Sequence, residues 1–145
     1  MKVELGISTF GETTPLEKTG KAISHDESIR DLLEEITLAD KLGMDVYAIG
    51  EHHRKDFAVS APEIVLAMAA AQTKQIHLSS ATTNLPTIDP IRVYEQYATI
   101  DAAAPGRIEI MAGRGYNIGF IDDVKYNHEY MEIKAEYSRG VDKPR

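Results

Sequence analysis

One acid and two imidazoles follow an apolar run in the first half of the chain. The run Val46–Ile49 leads into Gly50 and then into Glu51, His52 and His53. The interior of a buried strand cannot satisfy charged groups, whereas its open end can. Imidazole titrates near pH 6.5 and therefore suits proton transfer. We predict that Glu51, His52 and His53 form a catalytic site at the end of this strand.

The positions of these three residues also allow other interpretations. Consecutive side chains of an extended segment point to opposite sides, so the three cannot all face one ligand unless the chain bends. The histidines could instead be rim residues bonded to backbone carbonyls. A metal site is a third alternative, but adjacent histidines chelate poorly and the sequence signals no third ligand, so we predict no metal.

Two stretches of small residues follow other predicted strands. Ser80–Asn84 would let a flat ring approach the backbone closely, although the same residues fit an ordinary turn. Ala112–Gly115 contains Arg114 between two glycines, and backbone N–H groups with a guanidinium suit a phosphate or a carboxylate. A solvated turn is the alternative for this second stretch.

Short apolar runs that alternate with helical patterns position these groups. The predicted strands span residues 3–8, 45–50, 76–80 and 107–111. Apolar residues from Ile29 to Leu42 recur at helical spacing, with Asp26 as the expected N-cap and Gly43 at the C-terminal cap. A long polar loop, residues 11–24, precedes this helix.

Two further helices are predicted between the later strands. An early proline and an early acid start a helix at about 62–73, and because it is apolar on most sides we expect it to be well covered. Asp89 and Pro90 start the next helix, which reaches Ala104. Polar residues alternate in the fourth strand, which favours an edge position. Residues 122–137 are weakly helical in pattern.

The spacing of the elements predicts the architecture. Strands two, three and four start about thirty residues apart, with one helix in each interval. Such βα units form a parallel α/β sheet, either doubly wound or curled into a barrel. Four units are half of an eight-unit barrel. The length of 145 residues fits a single domain, residues 1–145, with a helical C-terminal tail.

Charge and composition exclude several partners. The net charge of -7, without a run of Lys or Arg, repels phosphodiester backbones and argues against nucleic acid. The chain has no cysteine, so it has no disulfide, no thiolate metal site and no cysteine nucleophile. No signal peptide and no membrane-spanning run is apparent. We therefore expect a cytoplasmic protein.

Several motifs occur in an order that is more specific than any one of them. They are Thr9–Glu12, Gly50–Arg54, Asp56–Glu63, Ser80–Thr82, Asp89–Ala98, and Gly106–Arg107 continuing to Ala112–Gly115. Together they resemble the bacterial luciferase-like, flavin-dependent monooxygenase family, from about residue 3 to residue 115. Residues 116–145 fit the family poorly.

The resemblance implies a TIM barrel that binds reduced FMN, or the deazaflavin F420 in a sister branch, at the carboxyl ends of its strands. It implies oxygen activation through a flavin hydroperoxide and oxidation of a small organic substrate by O2. The first histidine of the pair, His52, is the catalytic one by this likeness, with Glu51 orienting it and His53 in support. Ala81, Thr82, Arg114 and Gly115 map to cofactor contacts, and the family often has a cis peptide that maps to Ala81–Thr82.

The chain also departs from the family. Members run to roughly three hundred residues, whereas four βα units account for only half of a barrel. The phosphate site of such barrels usually comes from the loops after the last two strands, which have no counterpart here. An alternative function is therefore a half-barrel with little activity of its own, which assembles as a homo-oligomer or with a partner that supplies the missing half.

Overall fold

A parallel sheet with helices between its strands forms the body of the computed structural model, which describes residues 3–15 and 20–114. The strands of the main sheet are β1 (Gly6–Thr9), β2 (Val46–Ile49), β3 (His77–Ser80) and β5 (Ile108–Glu109). Their order is β1-β2-β3-β5, and every neighbouring pair is parallel. The predicted α/β architecture of a parallel sheet with alternating helices is confirmed over four main strands and three helices, and the fourth strand lies at the predicted edge.

Three helices connect the main strands. They are α1 (His25–Leu42), α2 (Pro62–Gln72) and α3 (Pro90–Ala103). Two short strands, β4 (Thr83–Asn84) and β6 (Ala112–Gly113), form a second parallel pair, and a 3-10 turn, Leu85–Thr87, precedes α3. All described residues belong to one compact unit, Met1–Gly115. The predicted C-terminal tail lies outside the described residues. The single domain over residues 1–145 therefore stays a prediction.

The core lies between the sheet and the helices. Tyr47 and Ile49 of β2 are fully buried, whereas Val46 and Ala48, which point to the opposite face, are only partly buried. This alternation shows that the helices cover one face of the sheet. The fully buried side chains Ile36 of α1 and Leu66 of α2 pack into the same cluster.

Helix α1 differs from the prediction at its N-terminal end only. Ser24, not Asp26, is the N-cap, because its hydroxyl accepts the Glu27 N–H while Asp26 already lies in the first turn. Gly43 is confirmed as the C-cap and has a left-handed φ of 77°. Asp89 is confirmed as the cap of α3, where its carboxylate accepts the N–H of Ile91.

Two strands and one helix also differ from expectation. Strand β1 starts at Gly6 rather than at residue 3, and the N–H of Leu5 just before it donates to the Asp45 carboxylate. The segment Ala112–Gly113, predicted as part of a turn, pairs with β4 instead. The expectation that α2 is well covered is wrong, since Ile64 is 55% exposed.

Within the described residues no helix is long and apolar enough to cross a membrane.

Candidate functional site

The loops that follow β1, β2 and β3 meet at one end of the sheet. Parallel strands place their carboxyl ends at the same edge, so the segments after Thr9, Ile49 and Ser80 become neighbours. Backbone hydrogen bonds fasten two of these loops together: Ala58 N–H donates to the Gly11 carbonyl at 2.7 Å, and Thr13 N–H donates to the Asp56 carbonyl at 2.9 Å. The predicted catalytic residues lie within this arrangement.

The carboxylate of Glu51 is buried and receives several hydrogen bonds. His53 Nε2 lies 2.6 Å from Oε1, and the backbone N–H of Asn84 donates to Oε2 at 2.8 Å. The Thr87 hydroxyl lies 2.8 Å from Oε1 and 2.6 Å from the Asn84 carbonyl, so these two oxygens share its hydrogen. Burial alone would raise the pKa of Glu51, but the bonds from His53, Asn84 and Thr87 hold this pKa below its ordinary value. Glu51 is therefore an ionised, well-anchored carboxylate.

His52 occupies a different environment, between two aromatic rings. Its ring stacks on Phe57 with centroids 4.2 Å apart and meets Phe10 edge-on at 4.9 Å. Its backbone N–H donates to the Val59 carbonyl. Burial, helped by the nearby positive charge of Arg54, lowers the pKa of His52, so its imidazole is neutral at neutral pH.

The expectation that Glu51 orients His52 is therefore wrong. Glu51 bonds to His53, two residues further along, and His52 points to the other side of the segment. The physical reason is the alternation of side chains in an extended chain, which places positions i and i+2 together. The structure brings Glu51 and His53 together and keeps the ring of His52 separate from them.

Gly50 lets Phe10 cover this segment. A Cβ atom at Gly50 would overlap Cδ1 and Cε1 of the Phe10 ring, so only glycine allows this approach. Gly50 N–H also donates to the Thr9 carbonyl at 2.9 Å, which continues the sheet up to the site. The glycine at the end of β2 is thus required for the ring that contacts His52.

The exit of β3 lies beside Glu51. The peptide bond Ala81–Thr82 is cis, as the resemblance predicts. Ala81 N–H donates to the Ile49 carbonyl at 2.7 Å. Ala81 and Thr82 are both partly exposed. Gly113 approaches the Thr82 side chain so closely that a Cβ there would overlap it. Small residues thus form an accessible surface on this side of the site.

The remaining predicted contacts lie after β6. Arg114 follows the pair β4–β6 directly and is exposed, so its guanidinium is accessible. Gly115 lies outside the described residues. The structure therefore places Arg114 near the strand that carries Thr83, without placing Gly115.

Two polar residues of the site, Thr87 and Glu63, were missed by sequence reasoning. Thr87 bonds Glu51, and Glu63 is buried near the start of α2. Burial raises the pKa of Glu63, and the charge of Glu51 raises it further. The early acid after Pro62 was visible in the sequence as a helix-start signal. The pairing of Thr87 with Glu51 has no local signal, since 36 residues separate them.

The other histidines of the described chain lie elsewhere. His77 begins β3, at the end of the sheet opposite the site, and pairs with Glu109 at 3.1 Å, with both side chains about half exposed. His25 begins α1 and contacts the Lys55 carbonyl through Nε2 at 2.8 Å. His128 lies outside the described residues.

Chemically, the site combines an ionised carboxylate with an imidazole, a second imidazole in an aromatic pocket, and an accessible surface of small residues. The first pair can hold and move a proton. The aromatic pocket and the small residues can contact a planar ring. A flat ring fits this set of groups better than a cation does. No group of three or more His, Cys, Asp or Glu side chains suited to a metal occurs in residues 3–15 and 20–114.

Comparisons with known proteins bear on the family and on the fold. The sequence profile of the family described as luciferase-like monooxygenase matches residues 3–119. The N-acetyl-S-alkylcysteine monooxygenase of Bacillus subtilis is 34% identical over 97 residues, which cover 63% of this chain and 29% of that protein. The predicted family resemblance is confirmed.

Solved structures give the same fold. The oxygenating constituent of 3,6-diketocamphane monooxygenase from Pseudomonas putida, a type II Baeyer–Villiger monooxygenase in complex with FMN, has a TM-score of 0.71 at 23% identity, over 80% of this chain and 30% of that chain. The coenzyme F420-dependent tetrahydromethanopterin reductase of Methanopyrus kandleri has a TM-score of 0.56 at 22% identity, over 80% and 28%. The chain thus spans less than a third of the length of each protein compared, and the predicted half-barrel fold is confirmed.

Proposed function

The chain belongs to the luciferase-like monooxygenase family, and we propose that it carries one half of a reduced-flavin site where O2 oxidises a small organic substrate. The observation that carries the proposal is the convergence of Glu51, His52 and His53 with the Ala81–Thr82 peptide at the carboxyl ends of β2 and β3. In a parallel α/β fold this end of the sheet is where ligands bind.

Different residues of the site would bind different parts of FMN. Ala81 and Thr82 have small side chains and offer an accessible surface for the ring system. Arg114, followed by Gly115, offers a cation for an anionic group of the cofactor. Reduced flavin, when bound, supplies the electrons that O2 takes up. His52, His53 and Glu51 would bind the ring and handle protons, and Phe10 and Phe57 would exclude water.

F420 is the alternative cofactor, because the fold is shared with an F420-dependent reductase. In that case the chain would belong to an oxidoreductase that transfers hydride without O2. Both cofactors present a flat tricyclic ring and a phosphate-bearing tail, so the same residues would hold either one. The substrate and a cytoplasmic location stay predictions.

An anaerobic titration tests the proposal. Purified chain is titrated with reduced FMN and, separately, with reduced F420, and binding is followed by calorimetry. We expect a micromolar dissociation constant for reduced FMN that rises at least about tenfold in His52→Ala, which equals about 1.4 kcal/mol of binding free energy.

The exposed pair of His77 and Glu109, at the other end of the sheet, provides the matched control. His77→Ala removes an imidazole far from the site and should leave the dissociation constant unchanged within about twofold. Tighter binding of F420 than of FMN would favour the alternative cofactor. Absence of binding for both cofactors up to millimolar concentration would refute the proposal.

A second candidate function is assembly of half-barrels, with little catalysis by the single chain. Within the described residues β1 and β5 each pair on one side only, and apolar side chains next to them are exposed, among them Leu5 at 62% and Met111 at 54%. Unpaired strand edges favour association, and a twofold pair of half-barrels would remove them. Sedimentation velocity over a hundredfold range of concentration should show a dimer, whereas a folded monomer throughout would exclude this candidate.

A further inference from the structure

An exposed methionine, Met111, lies across from the surface proposed for the flavin ring. We propose that Met111 is a modification site: when no organic substrate is bound, its sulfur accepts one oxygen atom from O2 and becomes a sulfoxide. The inference rests on the proposed flavin site and extends the reaction there to a residue of the chain itself.

The backbone of Met111 is bonded to both ends of the segment that carries the cis peptide. Its N–H donates to the Ser80 hydroxyl oxygen at 3.1 Å, and its carbonyl accepts the Thr83 N–H at 2.9 Å. The Ser80 hydroxyl also donates to this carbonyl at 3.4 Å. Ser80 and Thr83 are fully buried and flank the Ala81–Thr82 peptide. Met111 is therefore held next to the two residues proposed to contact the ring system.

The residues after Met111 continue this contact. Ala112 pairs with Thr83 in the short sheet of β4 and β6. Gly113 approaches the Thr82 side chain so closely that a Cβ at Gly113 would overlap it. The chain on this side of Met111 is thus also fixed against the exit of β3, and the position of the residue does not depend on its own side chain.

The side chain of Met111 is the most exposed among the methionines that the structure describes. Met111 is 54% exposed, Met68 on α2 is 37% exposed, and Met44, just before β2, packs against the core. Met44 precedes its strand and so lies at the end of the sheet opposite the site. Met1 and Met131 lie outside the described residues. Only Met111 combines an exposed, flexible thioether with a place at the carboxyl ends of the strands.

The proposed step is a balanced oxygen transfer to a thioether. One atom of O2 forms a bond to the Met111 sulfur, which is oxidised by two electrons to the sulfoxide. The O–O bond breaks, and the second oxygen atom leaves as water. Reduced flavin is the co-reactant, which supplies the other two electrons and the two protons of this water and becomes oxidised flavin.

Proximity distinguishes this step from ordinary oxidative damage. A sulfur held beside the place where O2 reacts meets the reactive oxygen at a high effective concentration. Free hydrogen peroxide, in contrast, diffuses through the solution and reaches every exposed methionine. Oxidation at the site should therefore select Met111 by its position, whereas free peroxide should select methionines by exposure alone.

The first part of the test measures exposure and needs no cofactor. Hydrogen peroxide is added to the purified chain, and the sulfoxide of each methionine is followed over time by peptide mass spectrometry. We expect Met111 and Met68 to be oxidised at rates within about threefold of each other, and Met44 at least about tenfold more slowly.

The second part measures oxidation at the site. The chain is mixed anaerobically with reduced FMN, whose binding is verified by calorimetry, and O2 is then admitted in the presence of catalase, which destroys free peroxide. We expect about tenfold or more sulfoxide at Met111 than at Met68. Two control reactions, hydrogen peroxide with catalase and oxidised FMN with O2, should leave Met111 unmodified.

The matched variant is Met111→Leu, which removes the sulfur at nearly equal volume. It should abolish the sulfoxide of this peptide without raising that of Met68. A rise at Met68 in this variant would show that the oxidant is free in solution, which would count against an oxygen transfer confined to the site.

The two parts separate this inference from the proposed function. If reduced FMN binds but Met111 and Met68 are oxidised equally, or catalase abolishes the Met111 sulfoxide, the inference is overturned and the flavin site stands. A slow reaction of Met111 with added peroxide would also overturn it, because the sulfur would then be inaccessible. If reduced FMN does not bind at all, the proposed function fails and the inference fails with it.

Discussion

Glu51 is the residue on which the geometry of the site depends most. A buried carboxylate is stable only when donors satisfy it, and this one has donors from its own segment and from the loop after β3. The same residue therefore sets the direction of an imidazole and joins two loops. Its effect should be visible both in stability and in pH dependence.

Replacement of Glu51 by alanine should lower the free energy of unfolding by about 3 kcal/mol at pH 7, because buried donors lose their acceptor. The pKa of Glu51 is lowered in the folded chain from an ordinary value of 4.5. Its contribution is therefore complete above about pH 4.5 and is lost as the pH falls through the lowered value. Urea denaturation from pH 7 to pH 3 measures both effects.

The matched control is Glu109→Ala, which breaks the exposed pair with His77. Exposed ion pairs contribute little, so this change should stay below about 1 kcal/mol. An equal loss for both variants, or a loss in Glu51→Ala that persists unchanged at pH 3, would contradict the role assigned to the buried pair.

Gly50 should tolerate no side chain while Phe10 is present. The overlap with the Phe10 ring predicts that Gly50→Ala lowers the free energy of unfolding by about 2 kcal/mol, as overpacking does. A double-mutant cycle with Phe10→Ala isolates the contact. We expect the cost of Gly50→Ala to fall below about 0.5 kcal/mol in that background, and equal costs in both backgrounds would contradict the account.

The sequence allowed the site to be located but not its internal bonds. Glu51, His52 and His53 could be predicted at a strand end because an apolar run stops at Gly50. The partner of each could not, since Asn84 and Thr87 lie more than thirty residues away and Phe10 and Phe57 come from separate loops. Alternation along the extended segment was the one available signal that Glu51 pairs with His53.

At the scale of elements, Asp40 joins α1 to the start of β3. Its carboxylate accepts the backbone N–H groups of Lys74, Gln75 and Ile76 at 2.8–3.0 Å. Burial acts to raise the pKa of Asp40, but these bonds outweigh it and lower the pKa. The connection between α2 and β3 is thus capped by a residue of another helix.

Asp40→Ala should lower the free energy of unfolding by about 3 kcal/mol, because three backbone donors lose their acceptor in a partly buried turn. Asp31→Ala, on the exposed face of the same helix, is the control and should change stability by less than about 0.5 kcal/mol. Thermal unfolding of both variants measures the difference. A loss in Asp40→Ala no larger than in Asp31→Ala would show that the turn does not depend on this carboxylate.

The helices and long strands were predictable, and the short strands were not. Helix α1 has a clear helical period and a glycine cap, and Asp89 with Pro90 marks the start of α3. By contrast, β4 and β6 have two residues each, too few for any periodicity, and form only because the exit of β3 lies beside the segment after β5. The N-cap of α1 was misplaced because Ser24 and Asp26 are both good capping residues.

At the scale of the whole molecule, the described sheet has the form of half a barrel. Its four main strands match part of the family fold, and the matched residues cover 28–30% of each protein compared. Within the described residues β1 and β5 are the edge strands of the main sheet, and further strands of a barrel would pair with them. Flavin binding and assembly are therefore best measured together.

Native mass spectrometry of the chain with reduced FMN under anaerobic conditions measures both in one experiment. We expect a dimer that carries FMN at micromolar concentration, with the flavin lost in His52→Leu and retained in His77→Gln. A folded chain without flavin at any concentration, or flavin binding that is unchanged in His52→Leu, would contradict the central claim that the strand-end cluster around Glu51, His52 and His53 is a flavin site.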